Sequence, residues 1–258
     1  MDRDILGGIT AMIELNNLVV GYQGKALTPP ISGHFSAGSL TAILGENGVG
    51  KSTLLKTIAQ LHAPVSGDIH YGKPTSQLLS WLPQQSDIDR SFPIRVFDVA
   101  AMGCWPNTGL FNALSDTQYQ RVREALYQTG IASLANNTID TLSGGQFQRM
   151  LFARLLVQDT PVMMMDEPFV GIDSQTRAAL MELITALNQS GKTIITVLHH
   201  IEVVQAFFPQ LLLMKNQQVR WGETQHILPQ YLHQHWTSSP RAQLSQPQQG
   251  ADHEPACS

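Results

Sequence analysis

Residues 45–53, with the sequence GENGVGKST, carry a pattern with a specific chemical meaning. They fit the pattern G-x-x-x-x-G-K-[ST], in which consecutive backbone N–H groups turn toward an anion and the next helix adds partial positive charge. The lysine, Lys51, can neutralise outer phosphates, and the hydroxyl of Ser52 can ligate Mg²⁺. The stretch therefore predicts a site for nucleotide phosphates. The residues expected to contact the nucleotide here are Gly45, Glu46, Asn47, Gly48, Val49, Gly50, Lys51, Ser52 and Thr53.

The sequence on each side of this loop supplies the elements that must position it. Residues 40–44 are apolar and typical of a strand, and residues 53–58 have the apolar spacing of a helix. A phosphate loop lies between a strand end and a helix start, so both flanks fit. The alternative is a glycine-rich turn with a solvated lysine. The loop alone does not distinguish kinases, GTPases, motors and transport ATPases.

A second acidic pattern narrows the chemistry. Residues 162–165 form an apolar strand pattern that ends in Asp166 and Glu167. A carboxylate at a strand end beside the phosphate loop is suited to bind Mg²⁺, and we assign this role to Asp166. The next acid, Glu167, is suited to act as the general base that orients the attacking water. The alternative is an exposed acidic turn before Pro168.

The composition bounds the class of protein. The chain has 258 residues, of which 43% are hydrophobic and 14% charged, so a globular core is expected. A net charge of −4 without a long basic run argues against nucleic acid as a partner. Two cysteines, Cys104 and Cys257, make no disulfide framework and favour a reducing cytoplasm. No stretch reaches the roughly 18–20 apolar residues of a membrane span, so other chains must supply any spans.

Strand and helix patterns indicate an α/β protein with a helical insert. The later strands are unbroken apolar or β-branched runs, as in a covered parallel sheet. We expect strands at residues 12–20, two within 25–44, 69–71, 77–82, 161–165 and 192–198, and a hairpin of 211–215 with 218–221. We expect helices at residues 51–61, 95–103, 116–129, 145–157 and 174–188.

The stretch LSGGQ at residues 142–146 decides between the phosphate-loop classes. A serine and two glycines at a helix start form a second anion nest, with the Ser143 hydroxyl as donor. Ser143 and Gln146 also have the spacing of a capping box, and both interpretations can hold together. With this stretch the chain resembles the ATP-binding cassette (ABC) family of ATPases. The resemblance assigns nucleotide contacts to Ser143, Gly144, Gly145 and Gln146.

The resemblance implies roles for four further residues. Tyr22 matches the aromatic that stacks on adenine, or else a core-packed tyrosine at a strand end. Gln84 matches the glutamine that reaches Mg²⁺ and the attacking water, or else a polar loop residue. His199, rather than the adjacent His200, matches the histidine that contacts the γ-phosphate. Asp173 matches the aspartate of the family's SALD loop, which reads VGID here, or else only caps the following helix.

The resemblance covers about residues 12–225 and implies the fold and its domains. The fold class is α/β, a phosphate-loop NTPase (RecA-like) core with an antiparallel β subdomain and a helical insert subdomain. The predicted divisions are an N-terminal extension at 1–11, an ABC ATPase domain at 12–236 (core 12–86 and 158–236, helical subdomain 87–157) and a disordered tail at 237–258.

The family's mechanism implies the ligands and partners. ATP and Mg²⁺ bind at the phosphate loop, and the signature stretch of a second copy closes over the same nucleotide in a head-to-tail dimer. A free single cassette resembles the ATPase subunit of a bacterial importer. This implies integral membrane permease subunits, an extracytoplasmic substrate-binding protein and a peripheral position on the cytoplasmic face of the inner membrane.

The cargo is indicated by residues 92–103, which contain FP followed by V-x-D-V-x-x-M-G. This resembles zinc and manganese importers, although Cys104 stands where they commonly have arginine. Haem, iron-chelate and cobalamin importers are the alternative, and a soluble cassette ATPase outside transport is a third. Four histidines and one cysteine near the end of the chain could suggest a metal sensor, but we interpret them as part of a solvated, partly disordered tail. These residues are His226, His233, His235, His253 and Cys257.

Overall fold

A computed structural model describes residues 11–73, 78–84, 88–108, 113–215 and 217–237. The predicted N-terminal extension lies outside these residues except for Ala11, which opens the first strand. The predicted tail lies outside them except for Thr237, which ends the last helix.

The described elements follow the order of an α/β protein with a helical insert. The strands are β1 (Ala11–Val19), β2 (Gly21–Tyr22), β3 (Lys25–Ala26), β4 (Ile31–Ser36), β5 (Leu40–Gly45), β6 (Ser66–Tyr71), β7 (Leu79–Leu82), β8 (Val162–Asp166), β9 (Thr193–Val197), β10 (Gln210–Lys215) and β11 (Gln218–Glu223). The helices are α1 (Lys51–Ile58), α2 (Val96–Ala101), α3 (Trp105–Thr108), α4 (Asp116–Gln128), α5 (Gly144–Gln158), α6 (Ser174–Gln189), α7 (Ile201–Phe207) and α8 (Thr224–Thr237).

The central sheet has the strand order β11-β10-β5-β9-β8-β7. Its strands from β10 to β7 are parallel, and β11 pairs antiparallel with β10. Strands β5, β8 and β9 are buried along their whole length, as parallel strands with both faces covered must be. Their carboxyl ends meet at one edge of the sheet, which is where ligands bind in open α/β folds.

Two apolar clusters cover the two faces of this sheet. Along β8, Val162 and Met164 enter one cluster, and Met163 and Met165 enter the other, because side chains alternate along a strand. The first cluster joins the sheet to α1 and to an antiparallel layer of order β4-β1-β6. The second joins it to the helical part, where α2 and α4 pack on α5. The predicted fold class is confirmed.

The sequence does not predict helices α7 and α8. Residues 224–237 read as polar because they include several histidines and glutamines, and Pro229 interrupts the pattern. The helix is held by Leu228 and Tyr231, which are buried in the second cluster. The interpretation of a disordered tail is therefore wrong for His226, His233 and His235, which lie in α8, although the side chains of His226 and His233 are exposed to solvent as expected. Among the described residues, no group of three His, Cys, Asp or Glu side chains could hold a metal ion.

Replacing Phe152 by Ala is expected to lower the free energy of unfolding by about 3–5 kcal/mol. Phe152 lies on α5, is 0% exposed and packs in the cluster that joins the helical part to the sheet. Denaturant unfolding of the full chain would measure the loss. Tyr127→Ala is the matched control, because this ring is 74% exposed and its removal should change the value by at most about 0.5 kcal/mol. Equal losses for both variants would contradict the assigned core.

Candidate nucleotide site

The phosphate loop lies between the end of β5 and the start of α1, as its flanks predict. Gly48 and Gly50 have φ values of 82° and 99°, in the left-handed region that favours glycine. At Gly45, a Cβ atom would lie 2.2 Å from the carbonyl oxygen of Met214 on the neighbouring strand β10. The glycines of the pattern thus serve the turn itself and the close approach of two backbones.

The side chain of Lys51 points back into the loop. Its Nζ donates hydrogen bonds to the carbonyl oxygens of Gly45 and Glu46, both at 2.8 Å, and the residue is only 5% exposed. Burial lowers the pKa of Lys51, and the charges of Glu167, Asp166 and Glu46 oppose that shift. The lysine is therefore positioned at the inner side of the loop with carboxylates around it.

Ser52 and Asp166 meet across the site. The Ser52 hydroxyl donates to Asp166 Oδ1 over 3.0 Å, and Asp166 is 1% exposed at the end of β8. A hydroxyl and a carboxylate are oxygen ligands of the type that Mg²⁺ uses beside nucleotide phosphates. The donor set therefore fits the ion that the sequence predicts.

The carboxylate of Glu167 is held between two other predicted residues. Its Oε2 accepts a hydrogen bond from Gln84 Nε2 at 2.8 Å, and its Oε1 lies 2.5 Å from His199 Nε2. Its backbone is in the left-handed region at φ 50°, and its N–H donates to the Val197 carbonyl on β9 at 3.2 Å. The turn after β8 thus aims this side chain into the space between the two neighbouring strand ends.

The two adjacent histidines occupy different places. His199 contacts Glu167, whereas His200 is the N-cap residue of α7 and its carbonyl accepts from Val203 and Val204. The structure therefore puts the side chain of His199 in the site, which is the choice that the sequence favours.

These residues surround one cleft of about 550 Å³. Tyr22 lines it with a 48% exposed ring, whose edge-to-face contact with His62 has a centroid distance of 5.3 Å. Neither Leu27, which also lines the cleft, nor His62 carries a sequence pattern that would have marked it. The lining residues are Tyr22, Leu27, Asn47, Gly48, Gly50, Lys51, Ser52, Thr53, Gln84, Glu167 and His199.

The signature stretch lies apart from this cleft at the start of α5. The capping box is present: the Gln146 N–H donates to Ser143 Oγ at 3.2 Å, and the Ser143 N–H donates to Gln146 Oε1 at 2.9 Å. Ser143 is exposed. Within the described parts of the chain, none of residues 143–146 lines the nucleotide cleft.

Asp173 caps helix α6. Its carboxylate accepts from the backbone N–H and the hydroxyl of Thr176, both at 2.8 Å, and Arg149 of α5 donates to that hydroxyl at 3.2 Å. The backbone hydrogen bond from Thr176 contributes most to lowering the pKa of Asp173. Within one chain, the arrangement is the helix cap that the sequence left as an alternative.

Fold and site together define a phosphate-loop NTPase. The sequence profile described as "ABC transporter" matches residues 29–170, and curated relatives align over most of the chain. The chain belongs to the ABC transporter family, and it is an ATP-binding cassette with the fold of an ATPase. The predicted family and the predicted class of enzyme are confirmed.

Two relatives show the level of similarity. A manganese transport system ATP-binding protein of Bacillus subtilis is 36% identical over 219 residues, covering 83% of this chain and 88% of that protein. A zinc transport system ATP-binding protein of Treponema pallidum is 36% identical over 206 residues, covering 78% of this chain and 77% of that protein.

Solved structures agree with the fold. A putative metal-chelate type ABC transporter in an inward-facing conformation superposes with a TM-score of 0.76 at 28% identity, covering 85% of this chain and 86% of that one. A dimeric bacterial ABC transporter cassette superposes with a TM-score of 0.72 at 25% identity, covering 82% and 98%. In the described part of this chain, no helix has the length and apolarity needed to cross a membrane.

Proposed function

We propose that this chain is the ATP-hydrolysing subunit of an importer for metal ions of the manganese or zinc type, and that it energises a separate membrane permease. The observation that carries the hydrolytic part is the Glu167 carboxylate, held by Gln84 and His199 beside the phosphate loop. Such a carboxylate can orient a water molecule toward a γ-phosphate and accept its proton as the bond to ADP breaks.

The other residues of the cleft take the remaining roles. Lys51 and the backbone of the loop neutralise and orient the phosphates, and Tyr22 offers its exposed ring to the adenine. Ser52 and Asp166 would hold Mg²⁺ with the side-chain oxygen of Gln84, and the ion would supply charge neutralisation at the phosphates. His199 is in place to contact the γ-phosphate and Glu167 at once.

The nucleotide site is completed by a second copy of the chain. Ser143 is exposed, the other three residues of the signature stretch are half-buried, and the stretch lies apart from the cleft of its own chain, so its surface is available to a partner. A symmetric head-to-tail pair would then contain two composite sites, each with the phosphate loop of one copy and residues 143–146 of the other. A cassette at 25% identity has been solved as a dimer, which supports this arrangement.

Replacing Ser143 by Arg tests the shared site. The monomer should bind ATP with unchanged affinity, because its phosphate loop is intact, whereas ATP-dependent dimerisation and hydrolysis should be lost to the added bulk and charge. Equilibrium nucleotide titration and sedimentation would separate the two effects. Ser115→Arg, at the equivalent N-cap of α4, is the matched control. A Ser143→Arg chain that still dimerises with ATP would overturn the composite site.

The metal cargo rests on the relatives and on the segment at residues 92–103. The two relatives at 36% identity are named for manganese and zinc transport, while the structural neighbour at 28% is named for a metal chelate. Free metal ions are therefore the first candidate for the cargo, and metal chelates are the second. With either cargo, the proposed chain works on the cytoplasmic face of the inner membrane, with permease subunits and an extracytoplasmic substrate-binding protein as partners.

The cargo is decided by reconstituting the full chain with its permease and binding protein in vesicles. ATP hydrolysis should rise when Mn²⁺ or Zn²⁺ is loaded on the binding protein and should not respond to iron chelates or cobalamin. A response to a chelate alone would favour the second candidate. If no polytopic membrane protein co-purifies with the chain after mild solubilisation, a soluble cassette ATPase is the better description.

A further inference from the structure

One side chain, Arg90, connects the segment that follows Gln84 to the signature stretch. Its Nη2 donates a hydrogen bond to the carbonyl oxygen of Leu142, and its Cζ lies 4.5 Å from the centroid of the Phe147 ring. Leu142 and Phe147 flank residues 143–146 on both sides. We propose that Arg90 is a positioning residue, which fixes the signature stretch in the orientation needed to close over the nucleotide of a second copy.

The carbonyl that Arg90 reaches is one that the helix cannot use. Ser143 is the N-cap of α5, and the ladder of α5 begins with the bond from the Phe147 N–H to the Ser143 carbonyl at 2.9 Å. Leu142 lies one residue earlier, so its carbonyl points outside the ladder. A guanidinium is suited to this position because it can donate to the carbonyl while its plane lies against an aromatic ring.

The contact continues a set of backbone bonds between two antiparallel stretches. The Phe97 N–H donates to the Ala135 carbonyl at 2.9 Å, the Val96 N–H to the Asn137 carbonyl at 3.0 Å, and the Ile139 N–H to the Ile94 carbonyl at 3.0 Å. The two stretches therefore run antiparallel, so that continuing the pairing from residues 97 and 135 brings residue 90 opposite residue 142. At this position the backbones no longer form hydrogen bonds with each other, and the side chain of Arg90 makes the contact instead.

A local turn orders the backbone around Arg90. Asp89 Oδ1 accepts hydrogen bonds from the backbone N–H of Ser91 at 2.9 Å and from its hydroxyl at 2.7 Å. These bonds span Arg90 and fix the backbone on both sides of it. The half-buried arginine thus extends from an ordered turn to its contact with Leu142.

The segment that contains Arg90 begins at Gln84, next to the proposed catalytic carboxylate of Glu167. Gln84 donates to Glu167 in the cleft, and six residues later Arg90 contacts the signature stretch that this chain would offer to its partner. Residues 85–87, between them, lie outside the described part of the chain. One short segment thus connects the two half-sites of a single chain. The inference rests on the shared site proposed above.

The test uses full-length chains carrying Glu167→Gln, so that ATP is bound without being consumed. Two quantities are measured: the affinity of the monomer for ATP at low protein concentration, and the dissociation constant of the ATP-bound dimer by sedimentation. Arg90→Ala should raise the dimer dissociation constant by about 10-fold, because closure must then also order a signature stretch that Arg90 no longer holds, at a cost comparable to one hydrogen bond to a charged group. The monomer's affinity for ATP should stay unchanged.

Two further variants keep the result interpretable. Arg90→Lys retains the charge without the planar fork, so its dimer constant should lie between those of the reference and of Arg90→Ala, even if the alanine variant folds poorly. Arg123→Ala removes an exposed arginine of α4 and should leave both quantities unchanged.

The possible outcomes distinguish a failure of the positioning role of Arg90 from a failure of the proposed nucleotide site shared by two copies. Dimerisation unaffected by both Arg90 variants, with Ser143→Arg still blocking it, would overturn the positioning role and leave the shared site intact. An equal loss of monomer affinity and dimer affinity would assign Arg90 a general structural role and also overturn the inference. If the Ser143→Arg chain dimerises normally, the shared site is wrong, and the role of Arg90 falls with it.

Discussion

Replacing Glu167 by Gln is expected to lower the rate of ATP hydrolysis by about 10²–10⁴-fold, the usual contribution of a general base. The amide is nearly isosteric with the carboxylate but cannot accept a proton from water. ATP binding should persist, because the phosphate loop and Lys51 do not depend on this side chain for their hydrogen bonds. The bound, unhydrolysed nucleotide should then hold two copies together, so the variant should accumulate as an ATP-dependent dimer.

Phosphate release and size-exclusion chromatography with ATP measure the two effects. Glu182→Gln, at an exposed position of α6, removes the same charge away from the cleft and should leave both unchanged. If wild type and the Glu167 variant release phosphate equally slowly even in the complete transporter, the chain binds ATP without turning it over. A binding or regulatory cassette would then be the correct description.

Replacing Lys51 by Ala is expected to weaken ATP binding by about 10–100-fold or more, since a hydrogen bond to a charged group is worth roughly 1.5–3 kcal/mol. The ammonium is also the donor that ties the Gly45 and Glu46 carbonyls together, so its removal loosens the loop as well. Hydrolysis and ATP-dependent dimerisation should both disappear, unlike the effect of Glu167→Gln. Nucleotide titration of the full chain measures the affinity.

The control for this variant lies in the same helix. Lys56→Ala removes a lysine from the last turn of α1, away from the residues that line the cleft, and should bind ATP as wild type does. Retention of normal affinity by the Lys51 variant would show that the backbone of the loop suffices and that the lysine serves another step.

The elements that the sequence predicts well are those with a local physical signal. The phosphate loop needs consecutive backbone N–H groups, so its glycines and lysine stand together in the chain. The covered strands read as apolar runs, and the capping box of Ser143 and Gln146 is spaced by one helical turn. For this reason the sequence alone predicts most strands, most helices and the family.

The sequence does not predict helix α8, because its stability comes from tertiary packing. Its sequence is polar and contains Pro229, and the burial of Leu228 and Tyr231 in the second apolar cluster holds it against the rest of the domain. The sequence likewise does not predict the short hairpin of β2 and β3, because two-residue strands have no periodicity to detect.

By itself, the sequence predicted which residues are candidates to bind phosphate, hold Mg²⁺ and orient water, because these abilities belong to the residue types. Only the tertiary structure decided that these residues lie together in one cleft. Glu167 and Gln84 are 83 positions apart, and the order β5-β9-β8 of the central strands brings His199 beside them. It also decided that the signature stretch lies away from its own phosphate loop and that Arg90 reaches it. Contacts between distant segments depend on strand order and packing, which no local pattern records.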